Sequence, residues 1–146
     1  ANTLSDEQDR YEMAKLALNK YDKLRASDFE FFLEKPSYTT QTLSALEKKY
    51  SENNFTLIIG ADNWKIFESW KEYEKILEKY ELKVYPRTGS RITIPNKWRH
   101  HVEALDSPII EISSTFIRDS IKEKKNIQSF LPEGVYEYII EKGLYR

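Results

Sequence analysis

The run Phe55-Thr56-Leu57-Ile58-Ile59-Gly60 is the strongest constraint on what this chain can become. It is apolar nearly throughout and stops at a glycine followed by the polar turn Ala61-Asp62-Asn63. Such a run reads as a strand covered on both faces, which is the habit of strands in parallel sheets. A parallel neighbour needs a crossover, usually helical, so the run asks for helices on either side of it.

The rest of the sequence supplies them. Asp6 to Tyr21 places Tyr11, Ala14, Leu16, Ala17 and Leu18 at roughly helical spacing. Ser5 is placed to cap that helix, with Gln8 completing a capping box. Leu24 to Leu33 is rich in Phe, alternates imperfectly and suggests a strand; Pro36 then breaks the chain. Tyr38 to Tyr50 reads as a second amphipathic helix with Thr42, Leu43 and Leu46 facing inward. Helical segments follow at about Trp64 to Phe67 and Glu72 to Lys79. Leu82 to Tyr85 is a short strand that ends at Pro86, and Arg87 to Asp106 is loop-rich. Ile109 to Ile112 reads as another strand, passing directly into a helix from Ser113 to Lys122. A last helix follows Pro132 and ends at Gly143. The order α, β, α, β, α, β, β, α, α predicts an α/β fold, a Rossmann-like open and mostly parallel sheet with helices on both faces. Ligands in such sheets bind beyond the carboxyl ends of the strands. Three strand ends lead into polar residues here: Gly60-Ala61-Asp62, Pro86-Arg87 and Ser113-Ser114-Thr115.

Bulk properties exclude several classes. The 146 residues suit one domain, and 40% apolar content is enough for a core. A net charge of -1 gives no general attraction to nucleic acid or anionic membrane, so any anion must be held locally. With no cysteine, disulfides and thiolate metal sites are excluded. The only histidines, His100 and His101, are adjacent, and their setting beside Trp98 and Arg99 reads as loop. No apolar run approaches the roughly 20 residues of a membrane span. The opening residues lack the basic start and apolar middle of a signal peptide, so the expected location is the cytoplasm.

The segment Glu111-Ile112-Ser113-Ser114-Thr115-Phe116-Ile117-Arg118 carries the most chemistry. Three hydroxyl residues stand where a strand becomes a helix, where free backbone N–H groups and the helix dipole favour phosphate. Arg118 falls four residues after Ser114 and three after Thr115, so helical spacing puts the three on one face. An ordinary Ser/Thr cap followed by a solvated arginine has the same spacing.

Ile112 to Arg118 resembles the I-S-[ST]-T-x-I-R motif of the adenylyltransferase superfamily. Further stretches are similar to its nicotinate-nucleotide branch. Pro36-Ser37-Tyr38-Thr39-Thr40-Gln41-Thr42-Leu43 resembles that family's P-S-Y-T-x-x-T-L, and Ile58-Ile59-Gly60-Ala61-Asp62 its I-I-G-x-D. Trp70 to Leu77 resembles its W-x-x-Y-x-x-I-L, Tyr85-Pro86-Arg87 its strand end, and Gly143-Leu144-Tyr145-Arg146 its ending. These stretches occur in the family's order, from about residue 10 onward.

The resemblance implies a nicotinate-nucleotide adenylyltransferase. Such an enzyme transfers AMP from ATP to nicotinate mononucleotide, giving deamido-NAD and pyrophosphate in NAD biosynthesis. It implies that Trp70 stacks on the pyridine ring; spaced by three from Phe67 and Tyr73, Trp70 could equally be a core aromatic. Tyr38, Thr39 and Thr42 would lie near the nicotinate and its ribose, or else form a helix cap. Asp62 would accept from a ribose hydroxyl, or else cap the next helix. Ser113, Ser114, Thr115 and Arg118 would hold ATP phosphates, with Arg118 offsetting charge on the leaving pyrophosphate. Magnesium would be bound mainly through those phosphates, and no protein metal site is expected. The reading includes no nucleic-acid or membrane partner and leaves a homo-oligomer open. The family begins with a strand, a G-x-F-x-P-x-H-x-G-H loop and a helix, and none of these residues matches that start. Residues 1–146 are therefore expected to be the C-terminal portion of a single nucleotidyltransferase domain, lacking its first β-α unit and inactive alone. Two other readings stay open: an adenylyltransferase of the pantetheine-phosphate type, and a non-catalytic nucleotide-binding fragment.

Overall fold

Thr56–Gly60, Glu81–Tyr85 and Val102–Ala104 form strands β1, β2 and β3 of one parallel sheet, in that spatial order. The computed structural model describes residues 4–146. Register runs from Thr56↔Glu81 to Gly60↔Tyr85 and from Leu82↔Val102 to Val84↔Ala104. The carboxyl ends of β1 and β2 are therefore level. Helices flank the sheet, as the element order requires, and the fold is α/β.

The described residues separate into two units, one comprising residues 4–32 with Ile112–Arg146, the other Leu33–Glu111. The second unit holds the sheet. Helix α2, following α1 of the first unit (Glu7–Leu18), spans Thr39–Lys49. The crossover from β1 to β2 comprises α3 (Ala61–Lys65), a 3₁₀ turn at Phe67–Ser69 and α4 (Tyr73–Lys79). Leu43, Ile59, Phe67, Ile76, Leu77, Leu82, Val84 and Val102 form its core. Each such side chain contributes about 1.5–3 kcal/mol by leaving water. The tie between α2 and α4 is polar at its rim: Glu47 accepts from Lys79 at 2.5 Å and from the Tyr80 hydroxyl at 3.1 Å.

Helices α1, α5 (Ser114–Lys122) and α6 (Val135–Lys142) make up the first unit around Ile117, Ile121, Ile127, Val135 and Ile139. The Tyr138 hydroxyl donates to Asp9 Oδ1 at 2.9 Å, joining α6 to α1. Gly143, at φ 63°, ends α6 as expected, and Leu144 N donates back to Ile139 O at 3.0 Å.

Several expectations are corrected. Leu24 to Leu33 forms no strand; Phe29–Phe32 is a 3₁₀ turn. Turn chemistry outweighs the Phe content there: Ser27 Oγ accepts from Phe29 N at 3.2 Å and Asp28 O from Phe31 N at 2.9 Å. Ile109 to Ile112 is irregular too, with Ile110 69% exposed; no strand pairs with it among the described residues. Conversely, β3 lies inside the stretch read as loop, because three residues containing Glu103 give no periodic signal. Ser5 does not cap α1. Asp6 does, accepting from Gln8 N at 2.8 Å, while Ser5 Oγ hydrogen-bonds the Tyr145 hydroxyl at 2.8 Å. Nor is β1 covered on both faces among the described residues, since Ile58 is 61% exposed.

Candidate active site

The level ends of β1 and β2 bring three groups together. Gly60, the last residue of β1, pairs with Tyr85, and α3 starts immediately after it. A β-carbon on Gly60 would lie 2.5 Å from Asp62 Oδ1 and 3.1 Å from the Tyr85 hydroxyl. The carboxylate of Asp62 therefore lies over Gly60, beside the Tyr85 ring. Arg87 Nε stands 3.9 Å from Asp62 Oδ1, and Asp62 is the more exposed of the two. Asp62 is not the cap of α3. That position belongs to Gly60, and Asp62 sits in the first turn, where the helix dipole favours an anion. Its second oxygen remains able to accept from a ligand hydroxyl. Beyond Arg87 the chain turns tightly back, with Arg87 bridged to Ser90 and Gly89 at φ 75°. Thr88 Oγ1 donates to Glu111 Oε1 at 3.2 Å.

A second group forms where α2 begins. Tyr38 is the N-cap, and its backbone N–H donates to the Gln41 side chain at 3.2 Å. The Thr42 hydroxyl donates to Tyr38 O at 3.4 Å, so its proton serves the first turn of α2. Thr39 opens the helix and is half-buried. Trp70 follows the 3₁₀ turn and is half-buried. Its indole leans on Phe67 with centroids 4.9 Å apart and planes tilted by 45°. The residue packs against the core and keeps part of its ring exposed. Glu72 adopts the left-handed conformation, φ 55° and ψ 37°, so Trp70 and Lys71 stand outside the spacing of α4. Lys71 Nζ lies 4.4 Å from the centroid of the Tyr38 ring, joining the Tyr38 segment to the Trp70 segment. The Glu72 carboxyl bonds to Lys75, and that hydrogen bond holds it below the usual carboxylate range.

In the first unit, Ser113 caps α5: its Oγ accepts from Phe116 N at 3.1 Å. The cap leaves the Ser113 proton free to donate. Ser114 and Thr115 are exposed in the first turn. Arg118 Nη2 donates to Thr115 Oγ1 at 3.2 Å, so the guanidinium does reach the hydroxyl face that its spacing indicates. The buried side of α5 carries Ile117, Ser120 and Ile121, which fixes the opposite face outward. His100 and His101 are exposed and precede β3; His101 O accepts from Leu82 N at 2.8 Å.

Sequence reasoning brought Asp62 and Arg87 to strand ends but not to each other. It missed Lys71 and Tyr85. Motif spacing carried no signal for either, because both contacts depend on chain segments distant in sequence. Among the described residues no helix is long and apolar enough to cross a membrane, and no group of three or more His, Cys, Asp or Glu gathers for a metal.

Residues 2–120 match the model of the cytidylyltransferase-like family, which sets the class of the chain. A protein of Flavobacterium johnsoniae named probable nicotinate-nucleotide adenylyltransferase is 47% identical over 99% of this chain and 76% of its own length. One of the same name from Flavobacterium psychrophilum is 44% identical over the same shares. Among solved structures, Plasmodium falciparum nicotinic acid mononucleotide adenylyltransferase complexed with APC has a TM-score of 0.77 at 20% identity, over 97% of this chain and 77% of that one. The same enzyme complexed with NaAD gives 0.77 at 19% identity, over 99% and 76%. At those identities the likeness is one of fold. With its curated relatives, this chain belongs to the nicotinate-nucleotide adenylyltransferases of the cytidylyltransferase-like family.

Proposed function

We propose that the protein transfers AMP from ATP to nicotinate mononucleotide. A phosphate oxygen of the mononucleotide attacks the α-phosphorus of ATP. A P–O bond forms, the bond from that phosphorus to the β-phosphate's bridging oxygen breaks, and pyrophosphate leaves with the electron pair. The products are deamido-NAD and pyrophosphate. No covalent enzyme intermediate is needed, so the protein contributes position and charge. The observation that carries this reading is the 47% identity over 99% of the chain to a relative named for the activity.

Within the reading, Trp70 offers the exposed part of its indole to the pyridine ring, and Tyr38 and Thr39 flank the nicotinate. Thr42 keeps only acceptor capacity, since its proton is held by Tyr38 O. Asp62 accepts from a ribose hydroxyl with its free oxygen. Ser113 and Ser114 donate hydroxyl protons to ATP phosphates, Thr115 does so beside them, and Arg118 reaches the same anions. Arg118 and the start of α5 offset charge on the departing pyrophosphate. Magnesium belongs here to the ATP substrate, on whose phosphates it would offset charge. Intracellular nucleotides as substrates make the cytoplasm the expected location.

The test is to incubate the full-length protein with ATP and, separately, nicotinate mononucleotide or 4′-phosphopantetheine. Deamido-NAD and stoichiometric pyrophosphate are expected with the mononucleotide. Preferential adenylylation of phosphopantetheine, or no pyrophosphate above a protein-free blank, contradicts the reading.

A further inference from the structure

We propose that Lys71 is the residue by which the protein distinguishes an acidic pyridine nucleotide from its amide. The inference rests on the placement of the mononucleotide at Tyr38 and Trp70.

Lys71 directly follows Trp70, and its ammonium lies 4.4 Å from the Tyr38 ring centroid. With the mononucleotide placed at Tyr38 and Trp70, a positive charge stands at one wall of its site, over the Tyr38 ring. The backbone accounts for that placement. Trp70 is extended at φ -73° and ψ 143°, and Glu72 is left-handed, so Lys71 is set apart from the lysines that line α4. Those lysines are occupied: Lys75 pairs with Glu72, and Lys79 with Glu47 at 2.5 Å. Among the described residues, no carboxylate lies within ion-pair distance of Lys71 Nζ, and its side chain is exposed. Its ammonium sits on the face of Tyr38, and the adjacent Glu72 carboxylate, itself bonded to Lys75, feels its charge. At an exposed site the ring contact is weaker than a charge-assisted hydrogen bond to a carboxylate. The ammonium can therefore move from the ring to a ligand carboxylate at net gain. A carboxamide carries no charge to meet it and turns either a weaker acceptor or a competing N–H donor toward it.

The discriminating quantity is the ratio of kcat/KM for nicotinate mononucleotide to kcat/KM for nicotinamide mononucleotide, measured on the full-length protein. Lys71→Gln is expected to lower this ratio about ten- to a hundredfold, the range of one charge-assisted hydrogen bond. The loss should appear as a raised KM for the acid, with the amide changed little. Lys71→Arg, which keeps the charge, should retain most of the ratio. Trp70→Ala should lower both substrates together and leave the ratio standing. A ratio within twofold of wild type in Lys71→Gln overturns the inference while leaving the activity intact. A wild-type protein that adenylylates neither mononucleotide overturns the functional reading and this inference with it.

Discussion

The carboxylate of Asp62 rests over Gly60, 2.5 Å from where a β-carbon on that glycine would stand. Gly60 has φ -79°, so backbone freedom is not what calls for glycine here; space is. Gly60→Ala must displace the Asp62 carboxylate and press on the tip of Tyr85. Both are ends of side chains that can give way, so the stability cost should stay near the low end of overpacking, about 1 kcal/mol. Binding of the mononucleotide should suffer more, because the group moved is the proposed ribose acceptor. The check is thermal denaturation alongside KM for both substrates. An unchanged KM for the mononucleotide would show that the position of Asp62 is irrelevant to it.

Trp70→Ala should weaken nicotinate mononucleotide by about 1–3 kcal/mol and ATP hardly at all, by analogy with base–aromatic stacking. Trp70→Phe should keep part of the binding. Because the indole also leans on Phe67 at 4.9 Å, some loss of melting temperature is expected with it. Equal effects on the two substrates, accompanied by early melting, would reduce Trp70 to a packing residue.

Glu72 occupies a conformation that costs an ordinary residue about 1–2 kcal/mol. Glu72→Gly removes that cost and loses only an exposed ion pair, which contributes little, so its stability should stay close to that of wild type. Glu72→Val, β-branched in the same conformation, should lose about 1–3 kcal/mol. Denaturant unfolding of the two variants decides it; equal stabilities would mean that the left-handed turn is not maintained.

The hydrogen bond to Asp9 and partial burial push the Tyr138 phenol up to about 12. The native state thus holds this proton more tightly than the unfolded chain, whose tyrosine titrates near 10. Its contribution is complete below about pH 10 and is lost as pH rises from there toward 12. Tyr138→Phe should therefore be less stable than wild type at neutral pH, and the difference should shrink across that window. A difference constant from pH 8 to 12 would argue against the Asp9 bond.

How far the sequence reveals this molecule depends on how local each feature is. The strand Thr56–Gly60 was legible because Leu57, Ile58 and Ile59, with Phe55 before them and a terminal glycine, express it without help. The start of α5 was legible because capping and the one-turn reach from Arg118 to Thr115 are properties of a single helix. Leu24 to Leu33 misled because aromatic content imitates a strand while Ser27 and Asp28 bend the backbone. Ile109 to Ile112 misled because a strand also needs a partner, and composition does not reveal one. Strand β3 escaped because it is three residues long and is defined by pairing with Leu82 to Val84. The same holds in the site: the approach of Lys71 to Tyr38 joins segments more than thirty residues apart in sequence, on the two sides of β1.

The central claim is that the turn from Ser113 to Arg118 holds the phosphates of ATP, and steady-state kinetics of Arg118 variants in the full-length protein test it most directly. Arg118→Lys keeps the charge but loses the planar fork, and Arg118→Ala loses both. If Arg118 meets charge that appears as pyrophosphate leaves, both variants should lower kcat and kcat/KM together, alanine more than lysine, with KM for ATP nearly constant. A raised KM for ATP with kcat preserved would confine the residue to binding the ground state. If neither parameter moves by more than about twofold in a folded protein, well below the loss of a charge-assisted hydrogen bond, the turn does not hold the phosphates and the claim is contradicted.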